Sequence, residues 1–219
     1  MPKPSDTAID SALSPFERGA EIIFGLLMAI SVTAAFEITA GGEIDVRELM
    51  IAALGCNLAW GLIDGVIYLL QLQFERYRVH RLVLRLRAAG SESEFRELVA
   101  SEVPPVVARA MTAESYDVIR REAQAYRQTR PAYWTAQEFA AAGFVCLLVF
   151  GSTFPLVVPF MLMEQAQLAL RVSHAIAIAM LFVLGWKIGR WSGASPGGSG
   201  AVFAAIGVAL AVACVALGG

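Results

Sequence analysis

The sequence predicts an all-α membrane protein with five transmembrane helices and a cytoplasmic helical insert between helices two and three. Three observations predict it. The chain is 57% hydrophobic and only 16% charged, against about 25% charged residues in ordinary soluble domains, and its mean hydropathy is +0.61. The charge is also uneven: residues 73–136 hold 11 Arg and 8 acidic residues, over half of the chain's charge. Around that stretch lie five apolar runs of the length that crosses a roughly 30 Å hydrocarbon core. This composition excludes a soluble enzyme, a nucleic-acid binder and a disordered chain.

The runs are Ile22–Ala40, Leu49–Leu72, Phe139–Leu162, Val172–Trp191 and Ala201–Leu217. In lipid the backbone must satisfy its own hydrogen bonds, so helices are expected. No lasting period-two alternation suggests a barrel. The resulting organisation is an N-terminal tail (1–21), helices one and two (22–72), the insert (73–136) and helices three to five (137–219). The tail is polar, with Pro2, Pro4 and Pro15, and the first apolar run is too long for a signal peptide. It reads as an uncleaved span.

Orientation follows from the basic residues. Five spans put the tail, the insert and the loop between spans four and five on one side, with 15 Arg and Lys; Arg47 and Arg171 alone fall on the other. The N-terminus and insert are therefore expected in the cytoplasm and the C-terminus on the far side. In a bacterium this is a multi-pass protein of the cytoplasmic membrane.

Within the insert, residues 73–89 continue span two as a helix with five Arg, and Gly90 stops it. Ser91 with Glu94 forms a capping-box pattern. Pro104-Pro105 separates helices, Thr112 caps another through Arg127, and Pro131 ends the insert. Thr135 with Glu138 repeats the capping-box pattern where span three begins. The stretch Gly193–Gly200 reads as a flexible Gly/Ser/Pro loop. Gly61 and Gly65, like Gly185 and Gly189, have the spacing that lets helices approach closely. Pro155 and Pro159 share one face of span three and free backbone carbonyls.

Ionisable groups inside a span are expensive and mark function. Asp64 lies eight residues from Leu72, roughly 12 Å from the cytoplasmic end at about 1.5 Å per residue. Asn57, Gly61, Asp64 and Gly65 share one helix face. This carboxylate either lines a cation path or holds helices together by a hydrogen bond. Glu37 sits near the far interface, where water reaches it. Glu17 and Glu21 stand at the cytoplasmic mouth of span one. Met28 lies about 9 Å into that span, close to the depth counted for Asp64, and its thioether beside a carboxylate suits a transition metal. In the insert, Glu94 with Glu97 and Glu114 with Asp117 are carboxylate pairs at i, i+3 that could share a divalent cation. The competing reading is a solvated face whose acids pair with arginines. Cys56, Cys146 and Cys214 are isolated in apolar runs, and His80 and His174 have no companions with metal spacing. No nucleophile motif, phosphate loop or haem attachment is present, so no enzyme and no tightly bound cofactor is expected.

Together the architecture, the segment EIIFG at Glu21–Gly25, GSTFPLVVPFML at Gly151–Leu162 and AMLFVLGWKIGR at Ala179–Arg190 resemble the vacuolar iron transporter family. The resemblance implies a homodimer in the bilayer that moves Fe²⁺ and Mn²⁺ out of the cytosol, with a path near the two-fold axis lined by span one. It also implies an insert that binds metal through Glu and Met, and a path holding acids in span one and a Met in span two. The chain departs from that pattern. The family's span-one Asp falls on Met28, its mouth Glu falls near Glu17, and its span-two Met falls near Ile63, beside Asp64. Met and Asp are thus exchanged between the two helices, and the insert is rich in Arg rather than Glu. The leading expectation is a transporter exporting divalent transition-metal cations by exchange with protons. The alternative is a non-transporting membrane protein whose Arg-rich insert binds a partner protein or anionic lipid.

Overall fold

The computed structural model describes residues 14–39, 45–127 and 133–217, and all regular structure among them is helical. The helices are α1 (Pro15–Thr39), α2 (Val46–Ala88), α3 (Glu92–Ser101), α4 (Pro105–Ala110), α5 (Ala113–Ala125), α6 (Ala136–Gly151), α7 (Phe154–Leu162), α8 (Ala166–Ser192) and α9 (Pro196–Leu217). Five segments are long and apolar enough to cross a membrane: α1, α2, α6 with α7, α8 and α9. The protein is an integral multi-pass membrane protein on this ground. The chain divides into one compact unit of residues 1–68 and 135–219 and a second of residues 69–134.

In the first unit, Leu26 and Ile30 of α1, Leu156 of α7 and Ala177 and Leu181 of α8 form one buried cluster. Leu49 of α2, Phe160 of α7 and Leu170 of α8 form another. Lipid tails are as apolar as these side chains, so association here depends on close packing and hydrogen bonds rather than on escape from water. The glycine pairs supply that packing. A Cβ on Gly61 or Gly65 would lie 2.9 Å from the carbonyl oxygen of Cys146 or Ala142 on α6. On Gly185 it would lie 2.7 Å from the carbonyl of Ser199 on α9.

Span three is broken. The N–H of Thr153 turns back to the carbonyl of Phe150 at 3.2 Å, and α7 restarts with a proline in its first turn and Pro159 inside it. Pro155 has no N–H, so the Gly151 carbonyl loses its regular helical donor. The stretch Gly193–Gly200 is not a long loop, contrary to its composition. Gly193 closes α8 in the left-handed region at φ 77°, and α9 begins at Pro196. Ser195 accepts from the N–H of Gly198 at 3.3 Å. Gly200 is small for packing, since a Cβ there would meet the Phe182 carbonyl at 2.9 Å.

In the second unit, Phe95, Val99 and Tyr116 form the core, with Leu86, Met111 and Ile119 against it. Ser91 caps α3 by accepting from Glu94. The Glu94 carboxylate reaches back to Gly90 rather than to Ser91, accepting its N–H at 2.9 Å. Thr112 caps α5 in a reciprocal box with Ser115, and α5 ends at Ala125, short of Arg127. Thr135 and Glu138 form the predicted box at the start of α6. Pro131 lies outside the described residues.

Candidate functional site

Two ridges face one another between α1 and α2. On α1, Glu17, Glu21, Phe24 and Met28 recur at helical spacing along one face. On α2, Cys56, Trp60 and Asp64 stand four residues apart. The rings of Phe24 and Trp60 meet edge to face with centroids 5.8 Å apart. Coulombic interaction links Glu21 to Asp64 and to Glu17. Tyr68 is similarly within reach of Glu17 and of Glu138 on α6.

This register revises the depth counted from the apolar edges. Asn57 donates to the carbonyl of Gly25 at 3.0 Å, and Trp60 meets Phe24. The helices run antiparallel, so Glu21 lies level with Asp64. Met28 lies seven residues beyond Glu21 on α1, roughly 10 Å at about 1.5 Å per residue, which brings it level with Cys56. The edge count failed because α1 starts at Pro15, well before the continuous apolar run that begins at Ile22.

Asp64 is half-buried, and its Oδ2 is buried with no hydrogen-bond partner among the described residues. A carboxylate oxygen in that position has lost water without gaining a donor, which costs several kcal/mol unless a proton or cation neutralises it. Glu21, also half-buried, adds a second carboxylate within electrostatic range. Like charges so placed favour sharing a proton or a cation.

Asn57 was expected on the path with Asp64. It is 0% exposed and its amide is spent on packing, donating to Gly25 of α1 and to the Thr153 hydroxyl at the break in span three. Its Oδ1 is left without a partner among the described residues. The interior beside it is tight: the cavity walled by Ala29, Thr33, Thr153 and Phe160 is about 10 Å³, room for a single water at most. Glu37 is exposed at the other end of α1, within electrostatic reach of His174. His174, taken from the sequence as a solitary histidine, binds the Thr33 hydroxyl at 2.9 Å. The same hydroxyl lies 2.7 Å from the Ala29 carbonyl and 3.1 Å from the Ile30 carbonyl.

The insert acids sit differently. Glu92 accepts from Arg96 at 2.7 Å and from Arg120 at 2.5 Å, and Arg78 bridges Glu75 and Glu102 at 2.8 and 2.6 Å. Arg96 and Arg120 also lie over the rings of Tyr116 and Phe95. The Arg96 hydrogen bond, with Arg120 nearby, holds the Glu92 carboxyl below its usual range. Glu94 serves as a cap, while Glu97, Glu114 and Asp117 are exposed. Among the described residues no three His, Cys, Asp or Glu side chains converge as a metal-binding group. The structure thus brings together Glu17, Glu21 and Asp64. It places Met28 deeper on the same face and keeps Glu37 at the opposite end. Cys56, Tyr68 and Glu138 were missed as neighbours of this site; the four-residue spacing to Trp60 and Asp64 was the available signal for Cys56.

The sequence profile of the VIT family matches residues 74–219. The chain belongs to the VIT family. Members of this family are membrane metal-ion transporters, and the match covers the second unit from residue 74 onward and spans three to five. It starts beyond Asp64, so the acids between α1 and α2 lie in the part that the profile does not reach. No curated protein matches the sequence.

Proposed function

We propose that this VIT-family protein exports divalent transition-metal cations, Fe²⁺ or Mn²⁺, from the cytosol in exchange for protons, acting as a homodimer. The observation that carries this reading is the buried, unbonded oxygen of Asp64 within electrostatic range of Glu21. The count of 15 basic residues on one side against 2 on the other supports a cytoplasmic N-terminus and insert. Glu17 then stands on the cytoplasmic side of the level shared by Glu21 and Asp64, and these acids raise the local cation concentration. Asp64 replaces part of the ion's water shell. Met28, further along the ridge, offers a thioether that favours a transition metal over Mg²⁺ or Ca²⁺. After the ion leaves, a proton on the carboxylates removes the same repulsion that the cation removed, which couples the two flows.

In proteoliposomes with an acidic lumen, the protein is expected to accumulate Mn²⁺ and Fe²⁺ while the lumen becomes more alkaline. Metal flux without proton movement would overturn the coupling. Absence of flux for either metal, with correctly inserted protein, would overturn the function.

A further inference from the structure

Away from the acidic ridge, α1 and α8 enclose a cleft of about 270 Å³. Its upper wall carries Phe16, Arg18, Lys187 and Trp191. The Phe16 and Trp191 rings stack with centroids 6.4 Å apart. A second cleft of about 430 Å³ shares Ile22, Leu184 and Lys187 with the first and continues along α8 past Met180 to Ile176. The two form one groove, with two cations and two aromatic rings at one end and apolar side chains along the rest. From Lys187 to Ile176 is eleven residues, roughly 16 Å of helix, close to half of a roughly 30 Å hydrocarbon core. Charge is segregated across α1: Glu21 interacts with Asp64 and with Glu17, while Arg18 lines the groove. Lys187 is exposed and forms no salt bridge with a described residue.

We infer that this groove binds an anionic glycerophospholipid. Its phosphate headgroup sits between Arg18 and Lys187, one acyl chain lies along Ile22, Leu184, Met180 and Ile176, and Phe16 with Trp191 marks the headgroup level. Cations over an apolar trench match a molecule with a negative head and a hydrocarbon tail, and aromatic rings settle at the same interfacial depth. A zwitterionic lipid fills the trench but gains less from the two cations. None of the residues lining the groove belongs to the Arg-rich insert or to the Glu17, Glu21 and Asp64 group.

The test uses full-length protein in detergent, with phosphatidylglycerol and phosphatidylcholine as probes, read by native mass spectrometry and thermal unfolding. Phosphatidylglycerol is expected to bind about tenfold or more tightly than phosphatidylcholine, the scale set by two cations near a membrane surface. Arg18→Gln with Lys187→Gln should bring the two lipids within about twofold. If that pair fails to fold, Lys187→Gln alone, at an exposed position, should still narrow the difference. Met180→Trp, which fills the trench, should reduce retention of both lipids. Arg81→Gln with Arg85→Gln in the insert should leave the preference intact. Equal binding of the two lipids in the wild type, or an undiminished preference in the Lys187 variant, would overturn the site. Displacement of the lipid by millimolar inorganic phosphate would show that the cleft takes free phosphate instead, and would overturn it as well.

Discussion

In the unit of residues 69–134, Glu75, Glu92 and Glu102 meet guanidinium groups; between α1 and α2, Glu21 faces the charges of Asp64 and Glu17. Glu92 is shared by Arg96 and Arg120, and Arg78 joins Glu75 to Glu102. All of these side chains are substantially exposed, so the pairs contribute little stability each and leave those acids occupied. Asp64 and Glu21 are half-buried and repel, and one Asp64 oxygen has no partner among the described residues. Abundance of acid therefore does not locate the unbonded carboxylate. The insert has eight acidic residues, yet the buried carboxylate oxygen with no partner among the described residues is that of Asp64.

The two regions should respond differently to mutation. The largest effect is expected from Gly25→Leu, because a Cβ there would lie 2.6 Å from the Val149 carbonyl and neither backbone can yield. Overpacking costs about 1–3 kcal/mol or more, read as loss of monodisperse protein and a lower melting temperature. Gly90→Ala in the insert region should leave both unchanged, since the nearest atom, Glu94 Oε2, is 3.8 Å away.

Next is Asn57→Leu, which leaves the Gly25 carbonyl without its side-chain donor and removes the tie to Thr153. The loss should be about 1–3 kcal/mol, measured by thermal unfolding in detergent. An unchanged melting temperature would show that the tie at the break in span three contributes nothing.

Smaller again is the joint neutralisation of Glu97, Glu114 and Asp117 to Gln, Gln and Asn. Mn²⁺ flux should change by less than about twofold, as for exposed charges screened by salt. A large loss would move the metal site into the insert and reverse the comparison.

The smallest effect concerns pH. Folding lowers the Glu92 carboxyl below its usual range, so its contribution is present above the ordinary Glu value. It is lost as pH falls through the lowered folded value. Glu92→Gln should make the protein slightly less stable at pH 7. The gap to the wild type should begin to narrow as pH falls through the ordinary Glu range and close only below the lowered folded value, where Glu92 is neutral in both states. A gap that widens on acidification would contradict the Arg96 and Arg120 assignment.

The fold was largely legible because its signals are local. Twenty apolar residues mark a span, and Ser91, Thr112 and Thr135 each cap the helix they precede. Gly193–Gly200 misled because glycine serves two purposes: at 193 it ends a helix, but at 200 it lets α9 approach Phe182. The site was legible in part. Asp64 and Glu21 stand out as charges among apolar neighbours, but the register that sets them level depends on contacts such as Asn57 to Gly25 and Phe24 to Trp60, which no local pattern encodes. Met28 was set too shallow for that reason. The pairing of the insert acids was foreseeable as a class from the excess of Arg, though not residue by residue.

The central claim is that Asp64, not the insert, determines cation movement. Its most direct test is initial Mn²⁺ flux in proteoliposomes for Asp64→Asn beside the Glu97, Glu114 and Asp117 triple variant, at equal reconstituted protein. Asparagine keeps the shape of Asp64 and removes the charge. The account predicts at least about a tenfold loss for Asp64→Asn, the effect of roughly 1.4 kcal/mol, with the triple variant near wild type. Wild-type flux in Asp64→Asn would contradict it.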